Sequence, residues 1–127
     1  MKTLFTAAAL GLIAATSALA DPVEGIWKTE VDDGAYAHVT MAPCGAKLCG
    51  VISRTFNSTG EYKSTSIGKK IVWDMQAKGS GRYKSGKIWQ PSTEKVYKSK
   101  MALNGNSLQI SGCVGPICKK QMWSRIK

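Results

Sequence analysis

The residues best placed to do chemistry are four cysteines in two matched C-x4-C pairs, Cys44-Gly-Ala-Lys-Leu-Cys49 and Cys113-Val-Gly-Pro-Ile-Cys118. Paired thiols either hold a soft metal as thiolates or oxidise to a disulfide. Zinc needs reduced thiolates, whereas a small exported domain gains from crosslinks the stability its limited core does not supply. Disulfides are therefore expected. Four thiols allow several pairings, but each pair brackets a Gly-containing loop between β-type segments. Residues directly opposite in a hairpin have Cα atoms about 4.5–5.5 Å apart, which suits an S–S bond. The local pairings, Cys44 with Cys49 and Cys113 with Cys118, follow. Loops this short remove little unfolded-state entropy, so the bridges pin hairpin register more than they hold the whole domain together.

The other reactive side chains do not assemble into a catalytic set. Catalysis needs a nucleophile with its base, two carboxylates of split pKa, or an open metal site. The one histidine, His38, alternates onto a polar strand face beside Tyr36 and Thr40. The acids are scattered, and Asp32-Asp33 reads as a turn before Gly34. No G-x-S-x-G, H-E-x-x-H, P-loop or dinucleotide pattern occurs. Met41, Met75, Met101 and Met122 have the softness to bind a metal, but they alternate with other apolar residues as adaptable core filler. No catalytic residue, metal ligand or cofactor is expected.

The amino-terminal segment reads as a secretory signal. Lys2 supplies its positive start, Leu4 to Ala15 its apolar stretch, and Ala18-Leu19-Ala20 the small-residue motif at which such signals are cut. Cleavage after Ala20 leaves residues 21–127 as one domain, in the periplasm or outside a bacterial cell. No later stretch is long and apolar enough for a membrane helix. With 18 Lys+Arg against 8 Asp+Glu the chain carries a formal charge of +10, and removing the leader costs only Lys2, giving +9. A field of that sign attracts anionic partners. Export sets nucleic acid aside and leaves anionic lipids or polymers of the envelope, with Lys98 and Lys100 sharing the outward face of one strand as the candidate surface.

The elements that position these residues have a two-residue period. Alternating segments run over 25–31, 35–41, 48–54, 69–75, 82–90, 96–103, 107–113 and 118–126, separated by clusters such as Asp32-Asp33-Gly34, Gly79-Ser80-Gly81 and Asn104-Gly105-Asn106. About eight antiparallel strands in so short a chain predict an all-β, up-and-down barrel, because closure removes exposed edges. If Cys113 opposes Cys118, Leu108 faces Trp123 and Ile110 faces Gln121. The same counting from Cys44 and Cys49 sets Met41 opposite Ile52 and Val39 opposite Arg54, with both bridges on the outer face or rim.

First and last strands are neighbours in such a ring. Trp27 of Gly25-Ile26-Trp27 and Arg125 of the closing Trp123-Ser124-Arg125 can then stack, guanidinium on indole, and plug one end. That arrangement resembles the lipocalin and wider calycin barrels. Gly86-Lys87-Ile88-Trp89-Gln90-Pro91, Lys95-Val96-Tyr97, Ser111-Gly112-Cys113 and Gln121-Met122-Trp123-Ser124-Arg125 carry a closer match. Together with Gly25-Ile26-Trp27 and Cys44-Gly45-Ala46-Lys47-Leu48-Cys49-Gly50, they resemble the bacterial family called domain of unknown function 2147. Here Tyr83 stands where that family commonly has Trp, and Glu94 where it has Gly. The resemblance implies export, a calycin-like barrel and no established chemistry.

A barrel of eight strands stands at the threshold between a filled core and a ligand pocket. The functional expectation is a monomeric, non-catalytic binder of a small hydrophobic or amphipathic ligand. Met41, Ile52, Trp73, Tyr97, Met101, Ile110 and Trp123 are the lumen candidates for contact with it, among an inward set that also includes Ile71, Met75, Ile88 and Leu108. The alternative is a filled barrel that binds anionic envelope material through Lys98 and Lys100.

Overall fold

Apolar and polar residues alternate through most of the chain, and the computed structural model, which describes residues 20–127, turns that alternation into nine strands. The expected leader, apart from its last residue Ala20, lies outside the described residues. The strands are β1 Gly25–Lys28, β2 Tyr36–Cys44, β3 Lys47–Asn57, β4 Gly60–Tyr62, β5 Lys70–Gly79, β6 Arg82–Gln90, β7 Lys95–Asn104, β8 Ser107–Val114 and β9 Ile117–Arg125. All pairings are antiparallel, in the order β2-β1-β9-β8-β7-β6-β5-β3, and β2 also pairs with β3, so eight strands close a ring. β4 lies outside the ring, paired only with the end of β3. An Asn57 side chain accepting from both the backbone and the hydroxyl of Thr59 makes that extra turn.

The two cysteine hairpins are built differently. In β8–β9, Cys113 directly opposes Cys118, Leu108 opposes Trp123 and Ile110 opposes Gln121. In β2–β3 the register corrects the sequence expectation by two residues: Cys44 opposes Lys47, Val39 opposes Ile52, and Met41 opposes Gly50 rather than Ile52. The reason is the turn, where Gly45 at φ 64° lets two residues close the hairpin. The Cys44–Cys49 bridge therefore runs diagonally, with Cα atoms 5.7 Å apart. A shift of two keeps every side chain on its face, so Val39 and Met41 still point inward.

β5 departs from simple alternation. Its register against β3 shifts twice, leaving Ile71 and the Trp73–Asp74 step as extra residues, and Asp74 takes φ 58°. Ile71, Val72 and Met75 are buried as a result, while Trp73 pairs with Lys87 and stands outside the core cluster. This corrects the placement of Trp73 in the lumen. A further bulge, with Ser85 at φ 62°, bends β6 between Tyr83 and Gly86. β1 is also shorter than its pattern suggests, ending at Lys28 instead of Val31.

The core fills the end of the barrel where the tight turns lie. Trp27, Trp123, Leu108, Ile110, Met41 and Met75 are almost wholly buried there, each worth about 1.5–3 kcal/mol of burial. Two glycines let the thioethers in. A Cβ at Gly50 would stand 2.6 Å from Met41 Sδ, and one at Gly86 would stand 2.5 Å from Met75 Sδ. Residues 21–24 cap this end as a hook. Val23 is fully buried, its carbonyl accepts from Trp27 Nε1, and the Asp21 carboxylate accepts from Tyr83 Oη.

Candidate functional site

The strand directions gather the long connections 29–35 and 58–69 and the four-residue β6–β7 turn at one end of the ring, together with the two-residue β8–β9 turn. That end is open. A cavity of about 780 Å³ enters it, with Ile52, Ile71, Ile88 and Tyr97 among its apolar walls and Thr55 and Gln121 as polar positions. Glu30, Asp32, Lys119 and Ser64–Ser66 form a polar and charged collar. Val31, Val114 and Ile117 stand exposed at the rim.

Two features shape the mouth. First, Asp32 in the β1–β2 connection accepts hydrogen bonds from Ser92 Oγ at 2.7 Å and Gln90 Nε2 at 3.2 Å, both at the β6–β7 turn. β1 and β6 lie on opposite sides of the ring, so these bonds strap the opening. Second, β1 pairs with β9 only at Trp27↔Arg125 and Lys28↔Ser124. Beyond that the Glu30 carboxylate accepts from the Met122 amide in place of a strand, leaving Lys119 and Gln121 beside the cavity without a β1 partner.

Of the lumen candidates, Ile52 and Tyr97 line the cavity. Met41, Met101, Ile110 and Trp123 are buried in the packed half, away from it, and Trp73 is outside. Sequence reasoning placed Ile71 and Ile88 inward without assigning them to the ligand, and it missed Thr55, Trp89 and Gln121. Alternation tells which side a residue faces but not its height in the barrel. The signal for height is loop length, since long connections cannot seal an end as two-residue turns do.

At the opposite end the Arg125 guanidinium lies 4.4 Å from the centre of the Trp27 ring and donates to the carbonyls of Pro22 and Glu24. Burial, and then hydrogen bonding to Asp21, push the Tyr83 hydroxyl far above its ordinary pKa. On the outer wall His38 packs against Phe56, near Arg54 and Lys28, and its pKa is lowered by desolvation first and by those two cations next. Lys98 and Lys100 are both exposed. Lys98 faces Lys87 and Cys113 across its neighbouring strands, and Lys100 faces Ser111. Among the described residues no group of three or more His, Cys, Asp or Glu converges as a metal site.

A protein of Helicobacter pylori described as belonging to the lipocalin family has a similar structure, with a TM-score of 0.65 over 83% of each chain at 18% identity. At that identity the likeness shows the fold. No curated protein matches the chain. The family model for uncharacterised proteins conserved in bacteria matches residues 25–125, from the first strand of the ring to the arginine that closes it. A match of that extent, on a closed lipocalin-like barrel with two disulfides, shows that the chain belongs to the bacterial family DUF2147.

Proposed function

We propose that the barrel holds a small hydrophobic or amphipathic molecule in the open-ended cavity, without turning it over. The observation that carries this reading is the cavity itself. Its volume of about 780 Å³ falls within the roughly 300–1,000 Å³ of ordinary small-molecule sites. Apolar walls suit an alkyl or ring system, and the collar of Lys119, Glu30 and Asp32 suits a polar end left at the mouth. The filled-barrel alternative needs a lumen without such a space. Two disulfides and a bacterial family are compatible with export, and we place the molecule in the periplasm or beyond, processed after Ala20.

Native mass spectrometry of protein purified from its own envelope tests the reading, with a copurifying small molecule expected. In the same experiment Ile71→Trp, which fills the cavity from a wall position, should lose that adduct while keeping the β-sheet circular dichroism of the parent. A clean apo mass for the parent, together with no saturable change in tryptophan fluorescence on titration with a fatty acid, overturns it.

A further inference from the structure

A second recess lies on the outer wall of the barrel, sharing only Lys120 with the lining of the cavity, and its own lining is basic. It has a volume of about 280 Å³ and is lined by Lys78, Arg82, Lys84, Lys100 and Lys120, with no carboxylate among its lining residues. The sheet register explains its shape. Lys100 opposes Ser111, which opposes Lys120, and one step along Arg82 opposes Ala102, which opposes Gln109. Short side chains therefore make the floor, and Ser111 is only 2% exposed beneath the flanking lysine stems. The bulge in β6 sets Lys84 beside Lys100 on the adjoining strand. Arg54–Glu61, elsewhere on the barrel, is the one ion pair within 4 Å among the described residues, so the five cations of the recess are not neutralised from within the protein.

Like charges gathered in a concavity repel one another and focus a positive potential outward. Lysine ammoniums and an arginine fork are the donors that phosphate oxygens accept. The recess is also wide. From Lys84 across Lys100 and Ser111 to Lys120 is three inter-strand steps, about 14 Å. That is broader than one phosphate group but within reach of two that are close together. We propose that this recess binds the paired phosphates of a diphosphate-bearing ligand, Ser111 and Gln109 offering neutral hydrogen bonds at its floor.

Two probes distinguish the sources of that chemistry: inorganic pyrophosphate, and phosphatidylcholine vesicles with and without cardiolipin, whose headgroup carries two phosphates. Amide NMR shifts on pyrophosphate addition should centre on Lys84, Lys100, Ser111 and Lys120. The double variant Lys84→Gln with Lys100→Gln should weaken binding at least about ten-fold, and a charge-matched control, Lys63→Gln with Lys95→Gln, by less than about two-fold. All substituted lysines are exposed, so folding is preserved. Binding to vesicles alone, lost in the double variant, assigns the site to a lipid headgroup; binding to pyrophosphate alone assigns it to a free ligand. Equal weakening in the control, vesicle binding that survives the double variant, or no saturable binding to either probe overturns the proposal. Neither Lys84 nor Lys100 lines the cavity, so the adduct measured by mass spectrometry reports on it independently.

Discussion

Tyr83 Oη donates to the Asp21 carboxylate, so a single hydroxyl holds the amino-terminal hook against β6. A hydrogen bond to a charged acceptor contributes about 1.5–3 kcal/mol. Tyr83→Phe keeps the ring and loses the bond, and should lower stability by about 1–2 kcal/mol in urea denaturation, since the site is only partly shielded from solvent. Tyr83 stands outside the inward set read from the sequence although it is buried, and its polar partner was not legible either, because Asp21 lies far away in sequence. His38 gives the pH dependence. Its folded pKa is held below 6.5, so below 6.5 the unfolded chain takes up a proton that the folded chain resists, and stability falls as pH drops through that window. His38→Gln should flatten the change in urea midpoint measured just above and just below that value. The Arg54–Glu61 pair does not mask it. Glu61, held down by hydrogen bonding to Arg54, titrates below 4.5.

Among the elements, the β1–β2 connection has the clearest functional consequence. Its two hydrogen bonds from Asp32 to the β6–β7 turn restrain the mouth, and each contributes about 1 kcal/mol net. Asp32→Ala should speed both entry and exit of a cavity ligand about ten-fold, with a much smaller change in Kd, in stopped-flow tryptophan fluorescence. Strand identity was readable wherever alternation ran unbroken, as in β8–β9, whose whole register follows from Cys113 opposing Cys118. On β5 the strand was found but the facing of Trp73 was not, because positive φ at Asp74 and a doubled register shift turned it outward. Neither feature leaves a mark in a pattern of polar and apolar letters, since aspartate is an ordinary residue on an outer strand face. The β2–β3 register went astray for a similar reason. Gly45 was seen as a turn residue, but the length of the turn it closes was not fixed by the cysteine spacing.

For the whole molecule, the closed ring and the two bridges divide the task of stability. The ring is held by eight antiparallel pairings and a packed half-core, whereas each disulfide closes a very short loop, worth at most about 2 kcal/mol in the chain-entropy account. A variant with all four cysteines replaced by alanine should therefore still fold, with a lowered denaturant midpoint and an unchanged slope of the transition. The architecture was visible in the sequence because the strand count, the turn spacing and the Trp27 and Arg125 positions all point to one closed sheet. The candidate site was visible only in part. Ile52 and Tyr97 line it, but the division into a packed end and an open end depends on Met41 and Met75 entering over Gly50 and Gly86, a matter of side-chain volume in three dimensions.

The narrow joint between β1 and β9 also sets the order of assembly. Every other pairing in the ring links strands that follow closely along the chain, but Arg125 reaches Glu24 across a separation of 101 residues. Bringing such distant segments together carries the largest loop-closure entropy in the molecule, and only a handful of backbone bonds and one stacked guanidinium reward it. The meander from β1 to β9 can therefore form first, leaving its two edges, β1 and β9, unpaired until that joint closes. Loss of the last few residues would strand the chain at that stage, with β1 and β9 exposed as templates for another copy, so Arg125 guards against aggregation as well as closing the barrel.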